Sequence, residues 1–304
     1  VRFVWLGLLV AWPVWGQQPL GGYGAGEPLA AAPGQLVTVF VSDFGTEAEL
    51  PARAGSLPLP TRLQAGDGSL GVILVSGFNE LLPILKADRV SPNQVALTVR
   101  MPWGLADRPF PVRWVTAIWS SPGISGSALC REFGARCSRP LTLSVRRSVV
   151  HILRTCDSVL DQATPDPSCT ALITRRDGST VSEQAPVRFG EELTAWAVGL
   201  GEPSDQTGSP PSAGALIDGT TVSVQFCGMA VRPPGSDAPA ASYAGLIDAD
   251  VGLYQVNFRI PEDASGDPSC ETQEPSPLQA RVTLGRSIGG AVDSFDSVEI
   301  PFLR

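Results

Sequence analysis

Along DVGLYQVNFRIP, residues 250–261, the apolar Tyr254, Val256 and Phe258 alternate with the polar Gln255, Asn257 and Arg259. A period of two places the first three on one face of a strand and the other three on the opposite face, so the run predicts a strand with one side toward a core. SPNQVALTVRMP, residues 91–102, has nearly the same form. In FPVRWVTAIW, Val112, Trp114, Thr116 and Ile118 share one face and Arg113, Val115, Ala117 and Trp119 the other. Both faces are mixed, which predicts a strand partly covered on both sides. Comparable short runs, rich in β-branched residues and bounded by Gly, Pro, Ser or Asp, recur along the chain without helical periodicity.

The runs come twice. PGQLVTVFVSDFG, starting at Pro33, aligns without gaps to FGEELTAWAVGLG, starting 156 residues later at Phe189. SPNQVALTVRMP and DVGLYQVNFRIP are offset by 159. Between them, GVILVSG ending at Gly77 matches VSVQFCG ending at Gly228, each an apolar strand closed by a small-residue turn. Each copy then adds two strand-like runs, FPVRWVTAIW and LTLSVRRSVV in the first and LQARVTLG and DSVEIPF in the second. The first two offsets agree to within three residues, which marks a tandem repeat. About seven strands per copy predict an all-β protein of two tandem immunoglobulin-like antiparallel β-sandwiches.

Composition agrees. Of 304 residues, 32 are Gly and 28 Pro, a density that works against long helices. The hydrophobic share of 43% excludes wholesale disorder. A net charge of −8 opposes docking on phosphate backbones, so nucleic acid is not an expected partner. The adjacent pairs Arg146-Arg147 and Arg175-Arg176 read as solvated strand or turn positions, and Lys86 is the one lysine.

The opening VRFVWLGLLVAWPVWGQQ places one Arg before a short apolar run that ends at Gly16 and polar Gln17. It reads as a secretory signal peptide over residues 1–16, followed by a mature protein without a membrane span. The expected organisation is then a first sandwich over 17–155 with a Cys-containing loop insertion, a Cys-bounded connector over 156–169, and a second sandwich over 170–304. Six cysteines in an exported chain predict disulfides, for which 15 pairings exist. Pairing in sequence order keeps each bridge local: Cys130 with Cys137, Cys156 with Cys169, and Cys227 with Cys270.

PLPTRL, SPNQVALTVRMPWG, DGSTVSEQAPVRFGEELTAWAVGLG and AGLIDADVGLYQVNFRIPEDASGD together resemble a Solibacter-type C-terminal domain family of exported bacterial proteins with IPT/TIG-like, immunoglobulin-like domains. The resemblance runs from about Pro28 to Arg304 and is most specific in GLYQVNFRIP and WAVGLG. It implies fold and export and brings no catalytic residues with it. Residues 120–140 and 156–169 depart from the family pattern as decorations.

Chemistry-bearing patterns are sparse. His151 is the one histidine, set in the apolar run SVVHILR, and reads as a structural or surface residue and not as a catalytic base. GISGS, residues 123–127, has its second Gly one position early for a nucleophile elbow. No CxxC pair and no phosphate loop occur. Asp43, Glu47, Glu49, Asp248, Asp250, Glu262 and Asp263 all fall near predicted turns, where acids serve solvation and local hydrogen bonds. Asp248 and Asp250 are the weak candidates for a cation, with two ligands where calcium needs several. Trp103, Trp114, Trp119 and Trp196 read mainly as core, with Trp103, beside Pro102 at a strand end, the candidate for an exposed stacking surface.

The sequence thus predicts a non-enzymatic periplasmic or extracellular protein, without cofactor or resident metal. Its role would be binding, adhesion or envelope structure, with an envelope or extracellular protein or glycan as partner. The competing reading is a carbohydrate-active or other hydrolytic enzyme whose paired carboxylates would line a cleft.

Overall fold

The computed structural model describes residues 29–42, 44, 47–75, 79–107, 114–122, 130, 133–160, 169–203, 212–226, 239–249, 251–263 and 279–303. The expected signal peptide, the GISGS motif, Asp43, Asp250, and the Cys227 and Cys270 pair lie outside the described residues.

The alternating runs form strands, and a 3-10 turn covers Leu105–Asp107. In the first sandwich, β2 (Leu36–Ser42), β3 (Ala52–Arg53), β7 (Ile84–Ser91) and β8 (Gln94–Arg100) form an antiparallel sheet in the order β2-β8-β7-β3. The facing sheet is built on β5 (Gly68–Val75) and β9 (Trp114–Ser120), with β4 (Leu63–Ala65) and β6 (Asn79–Leu81) on β5 and β10 (Arg136–Cys137) and β11 (Leu141–Thr142) on β9. A short parallel pair, β1 (Ala30–Ala31) with β12 (Ser144–Val145), closes one edge.

The second sandwich repeats the plan. One sheet contains β13 (His151–Ile152), β14 (Ile173–Arg175), β15 (Glu192–Val198), β17 (Tyr243–Asp248) and β18 (Leu253–Arg259), in the order β13-β15-β18-β17 with β14 also on β15. The other contains β16 (Thr220–Gln225), β19 (Gln279–Ile288) and β20 (Ala291–Pro301). With β13 and β14 as the first strand, these are the A-B-E-D and C-F-G sheets of an immunoglobulin constant-type sandwich. The three repeated segments take the same places in both units: β2 and β15 are B strands, β5 and β16 C strands, and β8 and β18 E strands. The parallel β1–β12 contact recurs as the parallel bridge of Val187 with Phe302.

Burial follows the predicted alternation. Tyr254, Val256 and Phe258 are buried, whereas Gln255 and Asn257 are half-buried and Arg259 is exposed. On β9, Val115, Ala117 and Trp119 enter the first core, while Ile118 on the other face packs with Ile73, Ala135 and the half-buried Phe133 and Cys137. The Cys130–Cys137 disulfide ties down the stretch that covers this outer face, and a second disulfide joins Cys156 to Cys169. Both follow the expected pairing.

The crossing between sandwiches comes earlier than residue 155. Ser144 and Val145 still pair with β1, but Val149 N already donates to Gly199 O at 2.8 Å and Ile152 pairs with Ala197. Residues 148–153 therefore supply the first strand of the second sheet, and Val150 and Ile152 join its core. The sequence missed this because SVVHILR continues the apolar run of the first copy without a break, and its partner strand begins some 40 residues later.

Candidate functional site

The features that set this molecule apart from two separate sandwiches gather at their junction. The lower pole of the first sandwich, where β2 begins and β8 ends, rests on the upper pole of the second, where β15 ends and β18 begins. Gln35 Nε2 donates to Val149 O at 3.3 Å, and Arg100 Nη1 donates to Ala249 O at 3.0 Å. Gly104 N–H is capped by the Glu202 carboxylate. Gly252 is fixed by close approach: a Cβ there would run into Gly34 O, and its φ of 61° favours Gly in any case.

Trp103 lies in this junction, 7% exposed, over Gly34 and among the core residues of the second sandwich. The exposed stacking surface envisaged for it is not its place in this structure. Trp119 is core, and Trp196 lies half-buried in a third apolar cluster, donating from Nε1 to Thr174 Oγ1 at 3.1 Å. That cluster seals one side of the junction, combining Leu36 and Leu85 of the first sandwich with Leu153, Val159, Val198 and Leu253. Lys86, 3% exposed, points into the same seam and bonds Leu160 O, with Asp88 Oδ2 at 3.3 Å. Ser158 Oγ donates to Thr38 Oγ1 at 2.8 Å, so the connector leans back on the first sandwich.

Beside the junction, residues 148–154 use one edge to pair with β15. On the other edge side chains stand in for a strand: Ser148 N donates to Asp293 Oδ2 at 2.9 Å, Val150 N to Ser294 Oγ at 3.1 Å, Ile152 N to Asp296 Oδ2 at 2.9 Å and Arg154 N to Asp157 Oδ2 at 2.6 Å. Buried backbone donors need acceptors, and these four have them. His151 sits within this row. Its Nε2 is 2.8 Å from Asp157 Oδ2, and its Nδ1 is 3.4 Å from Asp296 Oδ2 and 3.1 Å from Arg154 Nη1. Arg154 in turn grips both oxygens of Asp296, at 2.9 and 3.0 Å.

Burial alone would lower the His151 pKa, but hydrogen bonds to Asp157 and Asp296 and their charges outweigh it and hold the imidazole above its usual 6.5. Burial opposes ionisation of Asp296, yet its bonds to His151 and Ile152 N–H and the Arg154 charge hold its carboxyl below 3.8. Both ring nitrogens of His151 are thus engaged within the fold, an arrangement that braces a strand and offers no lone pair toward solvent. Tyr254, also at the upper pole, donates to Gly201 O at 2.8 Å, and burial pushes its phenol well above the ordinary range.

Those of the carboxylates singled out from sequence that lie among the described residues fall at three separate places. Glu47 pairs with Arg136 at 3.3 Å on the first sandwich, Asp248 ends β17 beside the junction, and Glu262 and Asp263 follow β18 at the opposite pole. Among the described residues no group of three or more His, Cys, Asp or Glu side chains is placed to hold a metal ion. No helix of the described residues is long and apolar enough to cross a membrane.

No family model and no curated protein matches the chain. Among solved structures, bovine butyrophilin aligns over 93% of this chain and 98% of its own, with 11% identity and a TM-score of 0.21. The immunoglobulin-like assignment rests on the strand order of the two sandwiches.

Proposed function

We propose that this chain is an exported, non-enzymatic protein in which two immunoglobulin-like sandwiches act as one stiff module for binding, adhesion or envelope structure. The reading of export comes from the apolar leader and from the resemblance to the Solibacter-type family. The observation that carries the reading is the junction: Gln35, Arg100 and Trp103 reach from one sandwich into the other and Lys86 holds the connector at Leu160, which fixes their relative orientation as a linker of loose chain would not. A fixed orientation matters to a protein that presents surfaces at a set distance and is not needed for chemistry in either unit. The partner class is an envelope or extracellular protein or a glycan.

Two measurements test the proposal. Expression in a secretion-competent host followed by N-terminal sequencing should give a mature chain beginning near Gln17, and an intact leader on cytoplasmic protein would refute export. The purified mature protein should leave chromogenic glycoside and ester panels uncleaved while retaining members of a glycan or envelope-protein array. Turnover of any substrate in the panel would replace the binding reading with the hydrolytic one.

A further inference from the structure

The sheet of β14, β15, β18 and β17 turns one face to the core of the second sandwich, and the face away from the core is built of neutral polar and aromatic side chains. Thr174, Thr194, Asn257 and Tyr243 stand in one row across the four strands, and Trp196, Gln255 and Gly245 form the next row across β15, β18 and β17. All of these but Gly245 are half-buried, whereas the residues that alternate with them on β15 and β18, Ala195, Val256 and Phe258 among them, are buried. Glu192 and Arg259 oppose each other in the row beyond, so no charged side chain stands within the two rows.

The rings are set in place. A Cβ on Gly245 would strike the ring and hydroxyl of Tyr243, so the glycine lets that ring lie down over the sheet. Trp196 is held at its edge by the bond from Nε1 to Thr174 Oγ1 and packs against the apolar cluster of the junction. The backbones of Trp196 and Gly245 are two strand spacings apart, about 10 Å, with Gln255 between them. Asn257 Oδ1 accepts from Thr194 Oγ1 at 2.9 Å and from Gln255 Nε2 at 2.8 Å, which fills both its lone pairs. Asn257 Nδ2, Gln255 Oε1 and the Tyr243 hydroxyl have no partner among the described residues.

The first sandwich has the same face, and there the chain covers it. Thr38 and Phe40 hold the places of Thr194 and Trp196, and Thr98 and Ala96 those of Asn257 and Gln255. Thr38 and Thr98 bond each other at 3.1 Å, buried beneath the connector, whose Ser158 Oγ donates to Thr38 Oγ1. Short hydroxyls and an alanine suffice under a cover. In the second sandwich the same places carry two amides and an indole on the side that core packing does not reach.

We infer that this face binds a neutral oligosaccharide laid across the strands, with sugar rings stacked on Trp196 and Tyr243 and sugar hydroxyls bonded to Gln255 and Asn257. The inference rests on the binding reading above and names the ligand class. A sugar presents C–H faces that pack on an aromatic ring and hydroxyls that both donate and accept, and the rings, the Nδ2 donors and the Oε1 acceptor match both. A protein partner calls for an apolar centre in its interface, and the centre of this face is amide. An acidic glycan calls for Arg or Lys, and the two rows have neither.

Calorimetric titration of the full mature chain with cellohexaose, xylohexaose and chitohexaose, and with hexagalacturonate as the acidic counterpart, tests the inference. At least one neutral chain should bind and hexagalacturonate should not. Tyr243→Ala and Gln255→Ala should each weaken that binding about tenfold, with circular dichroism confirming the fold, and Phe295→Ala, at an exposed ring on β20 of the other sheet, should leave it unchanged. Failure of every neutral chain to bind, or tighter binding of hexagalacturonate, would overturn the inference. Binding that both variants leave intact, or retention of an envelope protein with no glycan held, would overturn this site while the binding reading stands. If Tyr243→Ala fails to fold, Gln255→Ala still decides, because the one side-chain bond of Gln255 is to Asn257.

Discussion

The His151 imidazole lies between two carboxylates and a guanidinium, and two protonation states satisfy it. As imidazolium it donates to Asp157 and Asp296; as the neutral ring it donates from Nε2 to Asp157 and accepts at Nδ1 from Arg154, 3.1 Å away. Because its folded pKa is raised above 6.5, the stabilisation from protonation is complete below that value and is lost as pH rises through the raised folded pKa. Asp296 works in the opposite sense: its lowered pKa gives a contribution present above 3.8 that is lost as pH falls through the depressed value. Urea melts should therefore show greatest stability between the two, and Asp296→Asn should cost about 3 kcal/mol by leaving Arg154 and His151 short of their acceptor. The same change should lower the titration midpoint of the one histidine, read directly from its ring-proton NMR signal. Little of this was legible beforehand. SVVHILR showed an apolar strand with a structural histidine, but Asp296 lies 145 residues away, and periodicity reports only which side a residue faces.

Among the strands, β18 gives the cleanest test of facing. Phe258 is 4% exposed in the second core, so Phe258→Ala should cost about 3 to 5 kcal/mol through lost burial and the cavity left behind. Asn257→Ala, on the other face, touches Thr194 Oγ1 and Gln255 Nε2 at the sheet surface and should cost less than half as much in the same chemical-denaturation series. The alternation of Tyr254, Val256 and Phe258 was readable from the sequence because a strand's side-chain period is a local property. The two faces of β9 were readable for the same reason, although what covers Ile118, the segment stapled by Cys130 and Cys137, was not. Loss of that bridge in a Cys130→Ala, Cys137→Ala double variant should destabilise by about 2 to 3 kcal/mol, measured by thermal melts with and without reductant.

At the scale of the whole molecule, the repeat foretold two sandwiches of one plan, while the strand order within each came only with the structure. The junction was hidden because the residues that build it are those at which the copies differ: Gln35 against Glu191, and Trp103 against Glu262. The early crossing has a direct consequence for fragments. A chain of residues 148–304 retains the strand that pairs with β15 and the core residues Val150 and Ile152, and should fold cooperatively by circular dichroism and urea titration. A chain of residues 170–304 lacks them, and should be less stable by at least about 3 kcal/mol or unfolded, since each large buried side chain removed costs about 2 to 5 kcal/mol.

Lys86, buried where the two sandwiches meet, gives the protein a chemical window on its own opening. Because no other lysine occurs in the sequence, an amine-reactive reagent finds one side-chain target, and it can reach that target only when the seam at Leu160 comes apart. The rate of Lys86 acylation, followed by peptide mass spectrometry, should therefore measure how often that seam opens. It should be far slower than for a free lysine in the intact molecule and should rise sharply in Trp103→Glu. Acylation of Lys86 at the free-amine rate in the unaltered protein would mean that the seam stands open in solution.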